Sequence, residues 1–184
     1  FELTPRAGGE PYVIQVSLPA VEAPPAGYPV VYLLDAGVAF NTLADIAHYQ
    51  ELFFVPTVVV GIRYRDPFEV DRRDDFVPPL ADAFRAFLVQ EVRAEVSRRT
   101  KIDASRQALF GHSLSALFTL QVLFAQPDAF DTYVVADPSL HMGGYRIIQR
   151  WPQLKETRFP ATARRVLIAK PGLPEGPETA RGME

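Results

Sequence analysis

Gln107-Ala-Leu-Phe-Gly-His-Ser-Leu-Ser-Ala-Leu-Phe-Thr-Leu120 is the stretch whose reading decides the fold. Gln107 to Phe110 reads as a buried strand, Gly111 to Ser115 as a sharp turn, and an apolar helix follows from about Ala116. A Ser on a strand-to-helix turn, with small residues two positions to either side, is the nucleophile-elbow pattern. The spacing has a chemical reason. The Ser must sit in a strained conformation so that its hydroxyl stands clear at the end of the sheet. Residues two away must be small because strand and helix come close there. The amide of the next residue, Leu114, then points to where an oxyanion would form. Gly111 and Ser115 stand where the commonest form has two glycines, and Ser is small enough to fit. The strand before and the apolar helix after are the context that the motif requires.

Working outward, 184 residues suit a single domain spanning 1–184, with room for a sizeable core. A hydrophobic share of 48% with 22% charged residues is that of a globular protein in water. The net charge of −3 and the lack of a basic stripe argue against nucleic acid as a partner. There is no cysteine, so disulfides and thiolate metal sites are excluded. No apolar run reaches membrane-spanning length and no signal peptide is visible, so a soluble protein is expected, cytoplasmic or periplasmic. The chain starts at Phe1 and not at Met, which leaves a removed export signal open.

Phe1 to Pro5 and Tyr12 to Leu18 read as two strands around a turn at Ala7-Gly8-Gly9-Glu10, with Tyr12, Ile14, Val16 and Leu18 on one face. Val30 to Leu34 is a continuous apolar strand of the kind buried on both faces, running into a turn at Asp35-Ala36-Gly37. A helix is expected over Thr42 to Phe54, a buried strand over Thr57 to Ile62, and then a charged loop from Arg65 to Pro79. Leu80 to Arg99 is the clearest helix: Leu80, Phe84, Phe87, Leu88, Val92 and Val96 form one face at three- and four-residue steps. Strands over 131–136 and 165–169 follow, with a short helix between them at 145–151. Alternating strands and helices point to a mostly parallel sheet covered on both faces, with an antiparallel N-terminal hairpin.

Five segments in order resemble one family: Tyr-Pro-Val-Val-Tyr-Leu-Leu-Asp35, Val-Val-Val-Gly-Ile62, Arg-Arg-Asp-Asp-Phe-Val-Pro-Pro79, Leu-Phe-Gly-His-Ser-Leu114 and Asp-Pro-Ser-Leu140. They are similar to the putative-esterase branch of the α/β-hydrolases, which includes ferric-enterobactin (siderophore) esterases, esterase-D-like enzymes and mycolyltransferases. The likeness extends to about Glu178. It implies an α/β-hydrolase fold and serine-dependent hydrolysis of a small-molecule carboxylic ester, with no cofactor. Ser113 then matches the nucleophile and Leu114 one oxyanion amide. The second amide comes from the loop after the Leu-Leu-Asp strand, at Ala36 or, as expected here, Gly37.

A serine needs a base, normally a His oriented by a carboxylate, and the order along the chain is Ser, acid, His. The family's His follows a further helix and strand. The expectation is therefore a chain that lacks this C-terminal segment, Pro177 to Glu184 being its start; the rival is a short, inactive homologue. His141, in the loop after strand 131–136, is either a pocket wall or a substitute base. His112 is expected to pack or hydrogen-bond beside the elbow, and His48 to lie on a helix surface. Three scattered histidines without ligand spacing make no metal site. Glu175 is the family-position acid and Asp137 the alternative, unless a Ser–His dyad works without one. Arg72 and Arg73 either meet an anionic substrate or pair with Asp74 and Asp75 within a surface loop. Three functions stay open: an ester hydrolase, a catalytically inactive binding module, and an acyltransferase using the same Ser.

Overall fold

The structure is a computed structural model, and it describes residues 1–66, 73–77, 81–142, 146–149 and 164–170. Seven strands form one sheet in the order β1-β2-β4-β3-β5-β6-β7. These are β1 (Glu2–Leu3), β2 (Tyr12–Ser17), β3 (Tyr28–Leu34), β4 (Val58–Tyr64), β5 (Ile102–His112), β6 (Thr132–Ala136) and β7 (Arg165–Ala169). The β1–β2 and β2–β4 pairings are antiparallel; β4-β3-β5-β6-β7 run parallel. The expected hairpin followed by a parallel sheet is thus present. So are the helices on both faces.

The register explains which side chains each helix meets. Val16, Val60, Tyr32, Leu109 and Tyr133 are successive partners across five strands, so they lie in one row on one face. That face carries the main core, closed by Phe84, Phe87 and Val92 from the helical run 81–99 and by Leu117 and Phe118 from a helix that follows β5. Phe76, Phe84 and Phe118 meet with ring centroids 5.2–5.5 Å apart. Each fully buried aromatic contributes about 1.5–3 kcal/mol relative to exposure. On the opposite face, α1 (Ala36–Gln50) lies on β4. A methyl group at Gly61 would stand 2.6 Å from a Phe40 ring carbon and 2.7 Å from the Ala36 methyl. Only glycine lets α1 sit that close.

Several expected boundaries move. α1 starts at Ala36, six residues before Thr42, because Asp35 adopts φ 52° and turns the chain within one residue. Asp35-Ala36-Gly37 is therefore a helix start and not an open turn. Leu80 lies outside the described residues, and the helical run begins at Ala81 as α3 (Ala81–Ala86), a π-helical segment (Phe87–Val92) and α4 (Arg93–Arg99). The expected stripe is buried through it, from Phe84 to Val96. Leu18, expected inward, is 49% exposed because β2 ends at Ser17. Glu95 takes both Arg98 and Arg99, at 2.7 Å each. A four-residue helix, α2 (Arg73–Phe76), precedes α3 and another, α6 (Arg146–Gln149), follows β6.

α2 is anchored to the sheet by an acid between two phenols. Tyr12 and Tyr64 are cross-strand partners, and both O–H groups donate to Asp75 Oδ2, at 2.6 and 2.7 Å. Burial first, and then the Asp75 charge, raise both phenols well above the ordinary tyrosine range. In the unfolded chain they ionise near pH 10. Their stabilisation is therefore complete below about pH 10 and is lost as pH rises above it. The thermal midpoint should decline steeply above pH 10, and Tyr64→Phe should lower it at pH 7 while flattening that decline. A pH series of melting curves checks both.

Candidate active site

Among the described residues, three that are not glycine have positive φ: Asp35 (52°), Ser113 (57°) and Asp137 (48°). Each directly follows the last residue of a strand, β3, β5 and β6, and those strands are neighbours and parallel. Such conformations cost on the order of 1–3 kcal/mol each and gather where a side chain must be aimed. β3 connects onward to β4 on one side, while β5 is followed by β6 on the other. The carboxyl ends of β3 and β5 therefore flank the switch point of the sheet, where open α/β sheets bind ligands.

Ser113, at φ 57° and ψ −114°, separates the end of β5 at His112 from α5 (Leu114–Ala125). The expected turn of five residues is compressed to one. Gly111 explains the compression: a methyl group there would lie 2.2 Å from the Ser115 carbonyl oxygen and 2.5 Å from Thr119 Oγ1. Ser115 is fully buried, and its hydroxyl donates to the His112 carbonyl at 2.9 Å while accepting the His112 N–H at 3.1 Å. This is how a Ser replaces the second glycine: its polar atom is satisfied inside the turn. The Ser113 N–H donates to the Ala136 carbonyl at 2.9 Å. Its own carbonyl accepts from Leu117 N–H at 3.2 Å and Ser139 N–H at 3.1 Å. Ser113 is half-buried, with its Oγ 2.9 Å from Ser139 Oγ.

Leu114 is the first residue of α5, and Ala36 and Gly37 are the first two of α1. Their N–H groups have no acceptor within their own helices, and both helices begin at the carboxyl ends of adjacent strands. The positive ends of α1 and α5 thus lie at the same edge of the sheet, at the ends of neighbouring strands. Ala36 is buried, whereas Gly37 is exposed, with Arg63 Cδ 3.9 Å from where a methyl group would be.

The other expected residues are distributed as follows. Asp137 sits at the carboxyl edge, but its carboxylate is exposed and its backbone N–H bonds to Ala169 at 2.7 Å. His141 is exposed in the turn after Ser139. His112 is exposed and not packed, because alternation along β5 turns it away from the buried Gly111. His48 meets Ser17 Oγ at 3.0 Å near the opposite edge, where Ser17 pairs with Val59. Among the described residues no imidazole or carboxylate hydrogen-bonds to Ser113 Oγ, and no group of three or more His, Cys, Asp or Glu is placed to hold a metal ion. Glu175, Arg72 and the Arg73 side chain lie outside the described residues. A hollow of about 690 Å³ between the first hairpin, Tyr64, Asp75 and Phe87 includes none of the elbow residues. Ser139 is the residue that the sequence did not single out; its signal was its place just beyond the strand next to β5.

Residues 6–164 match the family model described as Putative esterase. The chain belongs to that family. This esterase-family chain is 37% identical, over 165 residues, to the ferri-bacillibactin esterase BesA of Bacillus subtilis, covering 76% of this chain and 57% of BesA. It is 30% identical over 171 residues to a siderophore triacetylfusarinine C esterase of Aspergillus fumigatus, covering 82% and 59%. Among solved structures, the BES protein from Bacillus cereus superimposes with a TM-score of 0.84 at 26% identity, over 91% of this chain and 71% of that one. The enterobactin and salmochelin hydrolase IroE gives 0.71 at 27%, over 82% and 65%. The fold is that of the α/β-hydrolases. The chain spans between half and three fifths of the length of the two esterases matched by sequence. No helix among the described residues is long and apolar enough to cross a membrane.

The close approach at the elbow is directly testable. Gly111→Ala should lower the thermal midpoint by about 5–10 °C, since overpacking against backbone costs a few kcal/mol. A midpoint within about 2 °C of wild type would show that α5 can shift away freely.

Proposed function

We propose that this chain carries the nucleophile, and part of the oxyanion site, of a serine hydrolase that cleaves carboxylic esters of the siderophore class. The observation that carries the reading is Ser113 itself, half-buried and held at positive φ between strand and helix. The names of the relatives support the substrate class.

In this reading Ser113 Oγ attacks the ester carbonyl carbon and gives its proton to a base. The carbonyl π pair moves onto oxygen, where the Leu114 N–H and that of Gly37 or Ala36 receive the charge. The pair returns, the C–O bond to the alcohol breaks, and the base delivers its proton to the departing oxygen. Water then opens the acyl-enzyme by the same steps. Asp137 and Glu175 remain the acids to test, His141 a pocket-wall residue, and Arg72 and Arg73 contacts for an anionic substrate. The rival reading, an inactive homologue that binds ligand or protein, is favoured by one observation. No imidazole meets Ser113 Oγ among the described residues.

The whole protein should hydrolyse a short-chain nitrophenyl ester and react with a fluorophosphonate probe, and Ser113→Ala should abolish both. A wild type that neither reacts nor turns over would overturn the hydrolase reading. Proline scanning at the start of α1 assigns the second oxyanion donor. Of Ala36→Pro and Gly37→Pro, the variant that removes the donor should lower kcat by about 10²–10³ with the fold retained by circular dichroism. Equal activity of both variants with wild type would remove α1 from the oxyanion site.

A further inference from the structure

The contact between Ser113 Oγ and Ser139 Oγ, 2.9 Å, joins two residues 26 apart in sequence at the ends of neighbouring strands. The segment that carries Ser139 is fixed independently of it. Asp137 N–H bonds to the Ala169 carbonyl at 2.7 Å, Ser139 N–H to the Ser113 carbonyl at 3.1 Å, and Met142 N–H to the Ser139 carbonyl at 3.0 Å. Backbone bonds therefore hold both serines in place, and the hydroxyl contact is free for another use.

We infer that Ser139 is a positioning residue for the Ser113 hydroxyl, a role that rests on the esterase reading above. A serine hydroxyl has one proton and two acceptor sites. When Ser113 directs its proton to a base, its oxygen can accept the Ser139 O–H with one lone pair and keep the other for the ester carbon. Three directions around Oγ are then assigned, and its rotamer is set before substrate arrives. No proton leaves Ser139 at any step. Its side chain orients the attacking atom and neither relays charge nor touches the departing alcohol.

The distinguishing experiment is a pair of variants with the same shape, Ser139→Thr and Ser139→Val, together with Ser139→Ala. Their ester turnover, fluorophosphonate labelling rate and thermal midpoint are measured in the whole protein. The expected result is that Val and Ala lower kcat and the labelling rate by about 10- to 100-fold, with KM within about twofold. Thr should retain activity within about threefold, and the pH profile should keep its shape in all three. Val and Thr variants of equal activity overturn the inference, because shape alone would then suffice. So does a loss in Val and Ala that follows the thermal midpoint. A wild type without labelling or turnover overturns the esterase reading and this inference together, whereas a reactive wild type matched by Ser139→Val overturns this inference alone.

Discussion

The approach of α5 to β5 at Gly111 is the constraint on which the site depends. Strand and helix meet so closely that the chain has a single residue, Ser113, in which to reverse from extended to helical geometry. A one-residue reversal requires positive φ, and for a residue with a Cβ that conformation is unfavourable by on the order of 1–3 kcal/mol. The cost is tolerated because the flanks are over-determined. β5 is paired on both sides, α5 buries Leu117, Phe118 and Val122, and the backbone of Ser113 is bonded to Ala136, Leu117 and Ser139. Several buried side chains at about 1.5–3 kcal/mol each outweigh one strained dihedral pair.

The same solution recurs on either side of it. Asp35 and Asp137 end β3 and β6 at positive φ, so three adjacent parallel strands stop abruptly along one edge. After β3 and β5 the chain passes within one residue into α1 and α5. Ser113, half-buried, stands at the start of α5, and α1 begins at the end of the neighbouring strand. On the far side of β4, the Tyr12–Asp75–Tyr64 contact ties α2 to the same edge of the sheet.

Much of this was legible in the chain itself. The period-two and continuous apolar runs predicted all seven strands, β5 only from Gln107 although it begins at Ile102, and the three- and four-residue stripe predicted the helical run that ends at Arg99. The elbow was recognisable because its chemistry needs small residues at fixed offsets from the Ser. The order of motifs along the chain was sufficient to recognise the family. Boundaries were less legible where a single dihedral decides them. Nothing in Asp35-Ala36-Gly37 announces that Asp35 will turn left-handed and let α1 start six residues early.

What the sequence alone determined is therefore the local chemistry: which residue types are small, which are apolar in period, and which Ser could be aimed. The tertiary structure decided which distant residues meet. Ser139 reaches Ser113 only because β6 pairs with β5, and Asp75 lies between two tyrosines only because β2 and β4 run antiparallel in register. Strand pairing is a choice among partners far apart along the chain, made by the packing of the whole core, and no window of sequence contains it.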